Sequence, residues 1–192
     1  MGHAYVGEVE EAVALCDRAD RLARLTGSPS RVALCLFART IALVDAYPAA
    51  AIACADRTLA VAASVNATWL TGNTPNYRSA ALIGAGRLDE AQRETVATLH
   101  RLRAGGSRQS ATNTLRNAVA LLERRRDDEA TALVAGWLLT GRGVPGTPGM
   151  RARVDAARER LDGRGLGELL EVGAGLALSG VVDVALAALE GC

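Results

Sequence analysis

Apolar positions recur at helical spacing along most of the chain, and residues 86–103 show the pattern most clearly. After a glycine turn, Ala91, Thr95, Leu99 and Leu102 follow one another at intervals of three or four residues, which places them on one face of a helix. Charged and polar residues occupy most of the positions between them. No run of alternating β-branched and polar residues predicts a strand. The pattern therefore predicts an all-α fold.

Glycine and proline divide the chain into ten predicted helices, with glycine after several of them and proline at the start of others. The predicted boundaries are 6–25, 30–46, 48–65, 75–85, 88–103, 107–125, 128–139, 150–161, 166–174 and 180–189. Residues 66–74 are predicted to form a connection, and residues 141–149 a loop rich in glycine and proline.

A repeat relates these helices to one another. Ala12, Ala51, Ala91 and Ala130 lie near the starts of the first, third, fifth and seventh predicted helices, at nearly equal intervals. The interval of about 40 residues is typical of helical hairpins that stack as an α-solenoid. We therefore predict one domain over residues 1–192, with repeat hairpins over 6–140 and a C-terminal helical cap over 150–190.

Composition restricts both the core and the partners. Hydrophobic residues make up 49% of the chain but aromatic residues only 3%, so Ala, Leu and Val must form the core. The 22 basic residues are all arginine, and 21 acidic residues leave a net charge of +1. The densest charged run, residues 123–129, contains its own acids, so we predict no direct contact with nucleic acid.

Three of the four cysteines are evenly spaced. Cys16, Cys35 and Cys54 lie 19 residues apart, which predicts one cysteine on each of three successive helices. No CxxC pair occurs, and both histidines are distant in sequence from these cysteines. We therefore predict no metal site, and expect buried thiols at helix interfaces.

The remaining chemistry is sparse. Residues 1–11 contain acids and no apolar core, so they do not resemble a signal peptide. Charged residues or proline interrupt the most apolar stretches, which argues against a transmembrane helix. We therefore expect a cytoplasmic chain without membrane contact. The glycine-rich segments do not follow strands, and the paired acids at 89–90 and 127–129 open helices, where the helix dipole favours them. The sequence predicts no catalytic residue, no cofactor and no enzymatic activity.

Polar side chains on two predicted hairpins are candidates for an interaction surface. The first helix of each hairpin commonly lines the concave side of a helical solenoid, so a polar strip there would contact a partner. The candidates are Asn73, Asn76, Arg78, Asn113, Arg116 and Asn117. A solvated helix face with no binding role explains the same residues.

Residues 88–189 carry a recognisable order of segments. A repeat at 128–137 is followed by a proline-containing loop at 144–148, an arginine-rich helix at 150–161 and the sequence GLALS at 175–179. This order resembles the C-terminal helical region, with degenerate tetratricopeptide-like repeats, of bacterial LuxR-type and cyclase-associated ATP-binding regulators. Leu176 departs from the family, which often has arginine there. No Gly-x-x-x-x-Gly-Lys motif and no helix-turn-helix occurs, so the resemblance carries over neither ATP binding nor DNA binding.

The resemblance implies a non-enzymatic module for protein–protein interaction or intramolecular regulation in a bacterial signalling or transcription-control protein. Its partner would be a protein, a peptide or an adjacent domain, and the chain would be a fragment of a larger ATPase regulator. A small helical ligand-binding domain or enzyme, with a site assembled from residues distant in sequence, is the alternative. A deep pocket with convergent, pKa-shifted groups would favour that alternative.

The first predicted helix, residues 6–25, has Val, Leu and Ala side chains on more of its circumference than one neighbouring helix can cover. By the phase of the repeat, Ala12 marks the second helix of a hairpin, as Ala51, Ala91 and Ala130 do. We therefore expect the chain either to self-associate through this helix or to fray there, and a restored upstream helix to stabilise it.

Overall fold

The computed structural model describes residues 2–105, 108–140 and 146–191. These residues form eleven α-helices and no strand, which confirms the predicted all-α class. Helix contacts divide the chain into two compact units, Met1–Arg87 (unit 1) and Leu88–Cys192 (unit 2). The single domain and the stacking of its hairpins as a solenoid stay predictions. No helix in the described ranges has the length and apolar character needed to cross a membrane.

Unit 1 consists of a short helix followed by four long ones. Its helices are α1 (Gly2–Val6), α2 (Val9–Leu25), α3 (Pro29–Leu43), α4 (Pro48–Ser64) and α5 (Thr68–Gly84). Each of α2 to α4 packs against the next helix in the chain, and α1 packs against α2 and α3. Because the connections are short, successive long helices form hairpins.

Unit 2 contains the other six helices. They are α6 (Leu88–Arg103), α7 (Arg108–Arg125), α8 (Asp128–Leu139), α9 (Pro148–Asp162), α10 (Gly167–Gly175) and α11 (Leu178–Glu190). Helix α9 packs against α7 and α8, α10 packs closely against α8, and α11 lies against α6, α7 and α8. The helices predicted to form a C-terminal cap therefore cover the three helices that precede them.

The helix boundaries follow the predicted period. From α2 to α9 the helices begin at nearly equal intervals, at Val9, Pro29, Pro48, Thr68, Leu88, Arg108, Asp128 and Pro148. Each pair of helices therefore spans about 40 residues, the length expected of a repeated helical hairpin.

An ion pair recurs with this period inside unit 1. Arg39 on α3 donates to Asp17 on α2, and one repeat later Arg78 on α5 donates to Asp56 on α4. The same contact thus joins the two helices of each of two successive hairpins.

The prediction for residues 66–74 was wrong, because α5 begins at Thr68 and continues through Pro75. Proline removes one backbone hydrogen bond and usually ends or kinks a helix. Here the ring of Phe37 packs edge-on against Trp69 and Tyr77, with ring centroids 5.2 and 5.5 Å apart. These contacts hold α5 on both sides of Pro75.

Other boundaries differ from the prediction as well, most by one or two residues. The first predicted helix is divided into α1 and α2 at Gly7, whose φ of 87° ends α1. Helix α3 ends at Leu43, before the predicted residue 46. The predicted loop 141–149 lies outside the described residues at 141–145, and α9 begins inside the predicted loop at Pro148.

Glycines set the closest helix contact in unit 2. A Cβ atom at Gly136 on α8 would overlap the carbonyl oxygen of Leu170 on α10, and a Cβ at Gly173 would overlap the carbonyl oxygen of Leu133. The two helices therefore approach with backbone against backbone, which any larger residue would prevent.

An ion-pair network joins α9 and the turn that follows it to the end of α7 and the start of α8. Arg160 donates to Asp128 at 2.6 Å and to Glu123 at 3.2 Å, and Arg164 also donates to Asp128. The hydrogen bond from Arg160, assisted by that from Arg164, lowers the pKa of Asp128.

We expect Gly173→Ala to destabilise unit 2, because the added methyl group must displace the α8 backbone; overpacking of this kind costs about 1–3 kcal/mol or more. Urea denaturation followed by circular dichroism measures the change. The matched control is Gly175→Ala in the same helix, where a Cβ meets no atom within 4 Å. The control variant should be as stable as the wild type or more stable. Equal midpoints for the two variants would contradict the close contact.

We also expect Asp128→Asn to lower stability at neutral pH. Since the folded-state pKa of Asp128 is lowered, its contribution is present above the unfolded-state pKa and is lost as the pH falls through the folded-state value. The difference from the wild type should therefore shrink below about pH 4. Denaturation midpoints between pH 7 and pH 2 test this, with the exposed Asp155→Asn as control. A difference independent of pH would contradict a role for the carboxylate charge.

Candidate functional site

The polar residues predicted in unit 1 lie mostly inside the unit. Asn73 and Asn76 are buried on α5, and the side-chain amide of Asn73 donates to the Trp69 carbonyl at 2.8 Å. Arg78 is half-buried and donates to Asp56 at 2.7 Å. These contacts give Asn73 and Arg78 structural partners within the unit.

The three residues predicted in unit 2 lie together on α7. Asn113 and Asn117 are buried, and half-buried Arg116 donates to the Asn113 side-chain oxygen at 3.0 Å. Arg116 also lies beside Gly146, where a Cβ would come within 3.1 Å of its guanidinium. The interaction strip stays a prediction, with four of its six side chains buried.

A surface depression of about 420 Å³ lies in unit 2 between α8, α9 and α10. Its charged groups include Arg158 and Asp162, which lie one turn apart on α9 with 3.6 Å between nitrogen and oxygen. Since these two charges face each other across the helix surface, they neutralise each other there.

A second cavity, of about 340 Å³, lies in unit 1 and brings the three evenly spaced cysteines together. Cys16 on α2, Cys35 on α3 and Cys54 on α4 all line it. Three charged side chains share its wall: Asp20, Arg39 and Arg57. The prediction of one thiol on each of three successive helices is confirmed.

Each helix supplies this cavity with one thiol and one charge. Asp20 follows Cys16 by four positions, Arg39 follows Cys35 by four, and Arg57 follows Cys54 by three. Residues three or four apart lie on the same face of a helix, so each pair points toward the same side. The remaining wall includes the apolar side chains of Leu36 and Leu43.

Burial controls the state of the thiols. It raises the pKa of the thiols of Cys16, Cys35 and Cys54, because a low-polarity environment disfavours the thiolate. The nearby guanidinium groups of Arg39 and Arg57 offset part of the rise at Cys54. The three thiols are therefore protonated at neutral pH and act as small, weakly polar side chains.

The charged groups of the cavity differ in how they are paired. Arg39 donates to Asp17, and one oxygen of Asp20 accepts from Arg24 at 2.7 Å. The other oxygen, Oδ1, is buried and has no hydrogen-bond partner among the described residues. A buried carboxylate oxygen without a donor is energetically costly.

No group of three or more histidine, cysteine or acidic side chains in the described ranges has the arrangement of a metal site. The three thiols line the cavity, one from each of three helices.

Sequence reasoning missed Asp20, Arg39 and Arg57 as cavity residues. The available signal was a charge one helical turn after each cysteine, repeated on three successive helices. Regular spacing of the cysteines alone indicated their helices but not that the three side chains share one cavity.

The exposed side of α2 carries a second feature. Leu15, Leu22 and Leu25 are 37%, 64% and 83% exposed. The buried residues of this helix are the smaller Ala12, Cys16 and Ala23. The three leucines follow one another at intervals of seven and three positions, which places them on the same side of the helix.

No family model matches the chain, and no curated protein or solved structure is significantly similar to it. The relationship to LuxR-type and cyclase-associated regulators therefore stays a prediction.

We expect thiol labelling to follow burial. In a Cys192→Ser background, Cys35 should react faster with a disulfide reagent at pH 8 than buried Cys16 and Cys54, because it is partly exposed. All three should react more slowly than in urea, since burial both raises their pKa and limits access. Mass spectrometry of labelled peptides assigns each rate. Rates equal to those of the unfolded chain would contradict the burial of the thiols.

Proposed function

We propose that the chain is a non-enzymatic helical module that binds an amphipathic helix of a protein partner or adjacent domain through the exposed leucine side of α2. The observation that carries this proposal is the exposure of Leu15, Leu22 and Leu25 on one side of one helix. Single exposed apolar residues are ordinary, but an aligned set is typical of an interaction surface.

The packing around α2 supports a helix as the occupant. In the described part of unit 1, α4 packs between α3 and α5, two helices of similar length. Helix α2 packs against α3, and α1 adds a neighbour of only five residues. A partner helix of about the length of α2 would extend the same packing, because apolar residues three, four and seven apart form one contact stripe.

The charges around the leucines indicate the kind of helix. Arg18 and Arg21 are exposed and lie on the same side of α2 as the leucines, as does exposed Glu11 one turn before Leu15. A partner helix with acidic residues opposite the two arginines and a basic residue opposite Glu11 would complement this surface and associate faster. The setting in a bacterial signalling or transcription-control protein is supported by the resemblance of residues 88–189.

We expect the double variant Leu22→Ser/Leu25→Ser to lose binding while it keeps its fold. Both side chains are largely exposed, so the stability of the free chain should change by no more than about 0.5 kcal/mol each. Loss of central apolar anchors should weaken binding by about tenfold or more.

The probes are peptides selected from a displayed library of amphipathic helices as long as α2, and fluorescence anisotropy measures their affinity. Val172→Ser, at an exposed position of α10 in unit 2, is the matched control and should bind as the wild type does. Selected peptides that bind all three proteins equally would contradict the proposal.

Sedimentation of the free chain tests self-association. A dimer that is lost in the double variant would identify a second copy of the chain as the occupant of this surface.

A further inference from the structure

We propose that the cavity of unit 1 is a binding site for a small zwitterion with an apolar body, of the size of an aliphatic amino acid. Its walls carry the three thiols, Asp20, Arg39 and Arg57. The inference does not depend on the leucine surface of α2, which lies on the exposed side of that helix.

The mixture of charges determines the class of ligand. A simple anion would bring its charge close to the Asp20 carboxylate, and a simple cation would face both guanidinium groups. A zwitterion avoids both conflicts. Because Arg39 already donates to Asp17, the ligand carboxylate would lie toward Arg57 and its ammonium toward Asp20. Guanidinium groups recognise carboxylates well through paired N–H donors.

The unsatisfied oxygen of Asp20 gives a second indication. Asp20 Oδ1 is closed to solvent and has no hydrogen-bond donor among the described residues, whereas Oδ2 already accepts from Arg24. Rotation of the carboxylate toward the cavity would let a ligand ammonium group supply the missing donor. Hydrogen bonds to charged groups contribute more than neutral ones, so this contact distinguishes a zwitterion from its deaminated analogue.

The size and remaining surface of the cavity fit the apolar body. A volume of about 340 Å³ lies at the lower end of the range of ligand pockets, about 300–1,000 Å³. Leu36, Leu43 and the protonated thiols offer a weakly polar surface. The thiols remain neutral, so binding is noncovalent and no bond to sulfur forms.

Isothermal titration calorimetry with L-alanine, L-leucine and L-phenylalanine tests the site directly. We expect saturable binding of at least one of them. Two analogues of L-leucine each lack one charged group: 4-methylpentanoate lacks the ammonium group, and 3-methylbutylamine lacks the carboxylate. Each should bind at least about tenfold more weakly than L-leucine. We take a dissociation constant of about 10 mM as the weakest specific affinity. If none of the three amino acids shows saturable binding up to that concentration, the proposal is overturned.

Two pairs of variants separate ligand contacts from changes in the fold. Arg57→Ala should weaken binding about tenfold or more, whereas Arg18→Ala, an exposed arginine of α2 outside the cavity, should not. Asp20→Asn should weaken binding, whereas Arg24→Gln removes the same ion pair and retains Oδ1. Equal losses in Asp20→Asn and Arg24→Gln would assign the effect to the ion pair and overturn the role of Oδ1.

Thiol labelling provides a readout that does not depend on heat of binding. In the Cys192→Ser background, a saturating amino acid should slow the labelling of Cys16, Cys35 and Cys54, while 3-methylbutylamine at the same concentration should not. Binding without protection of any of these thiols would place the ligand elsewhere and overturn the assignment to this cavity.

Discussion

The close approach of helices through small side chains is the constraint on which the rest of the structure depends. With one phenylalanine, two tryptophans and three tyrosines in 192 residues, the core cannot be filled by aromatic rings. Alanine is instead fully buried at many helix contacts, and Gly136 and Gly173 bring α8 and α10 together backbone to backbone. Close packing of this kind gains dispersion energy over many contacts, but it leaves little tolerance for larger residues.

Closely packed helices still bury polar side chains, and the helices satisfy many of them locally. Thr40, Thr58 and Thr114 are buried, and each hydroxyl donates to the carbonyl four positions earlier, at 3.0, 2.8 and 2.7 Å. A threonine bonded in this way needs no partner on a neighbouring helix. This is why polar positions in the sequence are a poor guide to the surface here. Asn113 and Asn117, two candidates for an interaction surface, are buried on α7.

The sequence predicted most of the helices because glycine and proline mark their ends and the repeat makes their lengths regular. Helix α8 was predicted with its observed limits, whereas α5 was not, because the aromatic contacts of Phe37 outweigh the local effect of Pro75. The candidate site was predicted only in part. The spacing of Cys16, Cys35 and Cys54 identified their helices, but the rotation of each helix about its axis decides whether the thiols meet. That rotation depends on the packing between helices, and helix packing cannot be read from the pattern of a single sequence.

Helix α2 reverses the usual distribution of side-chain size. Its buried residues are Ala12, Cys16 and Ala23, and its exposed side carries Leu15, Leu22 and Leu25. Small side chains against α3 allow the close approach that the fold requires, and they also leave room for the cavity beside Cys16 and Asp20. The large side chains have no role in that contact, and their burial would contribute about 1.5–3 kcal/mol each. One helix thus presents two surfaces with different chemistry: an inner one that suits a small polar ligand and an outer one that suits another helix.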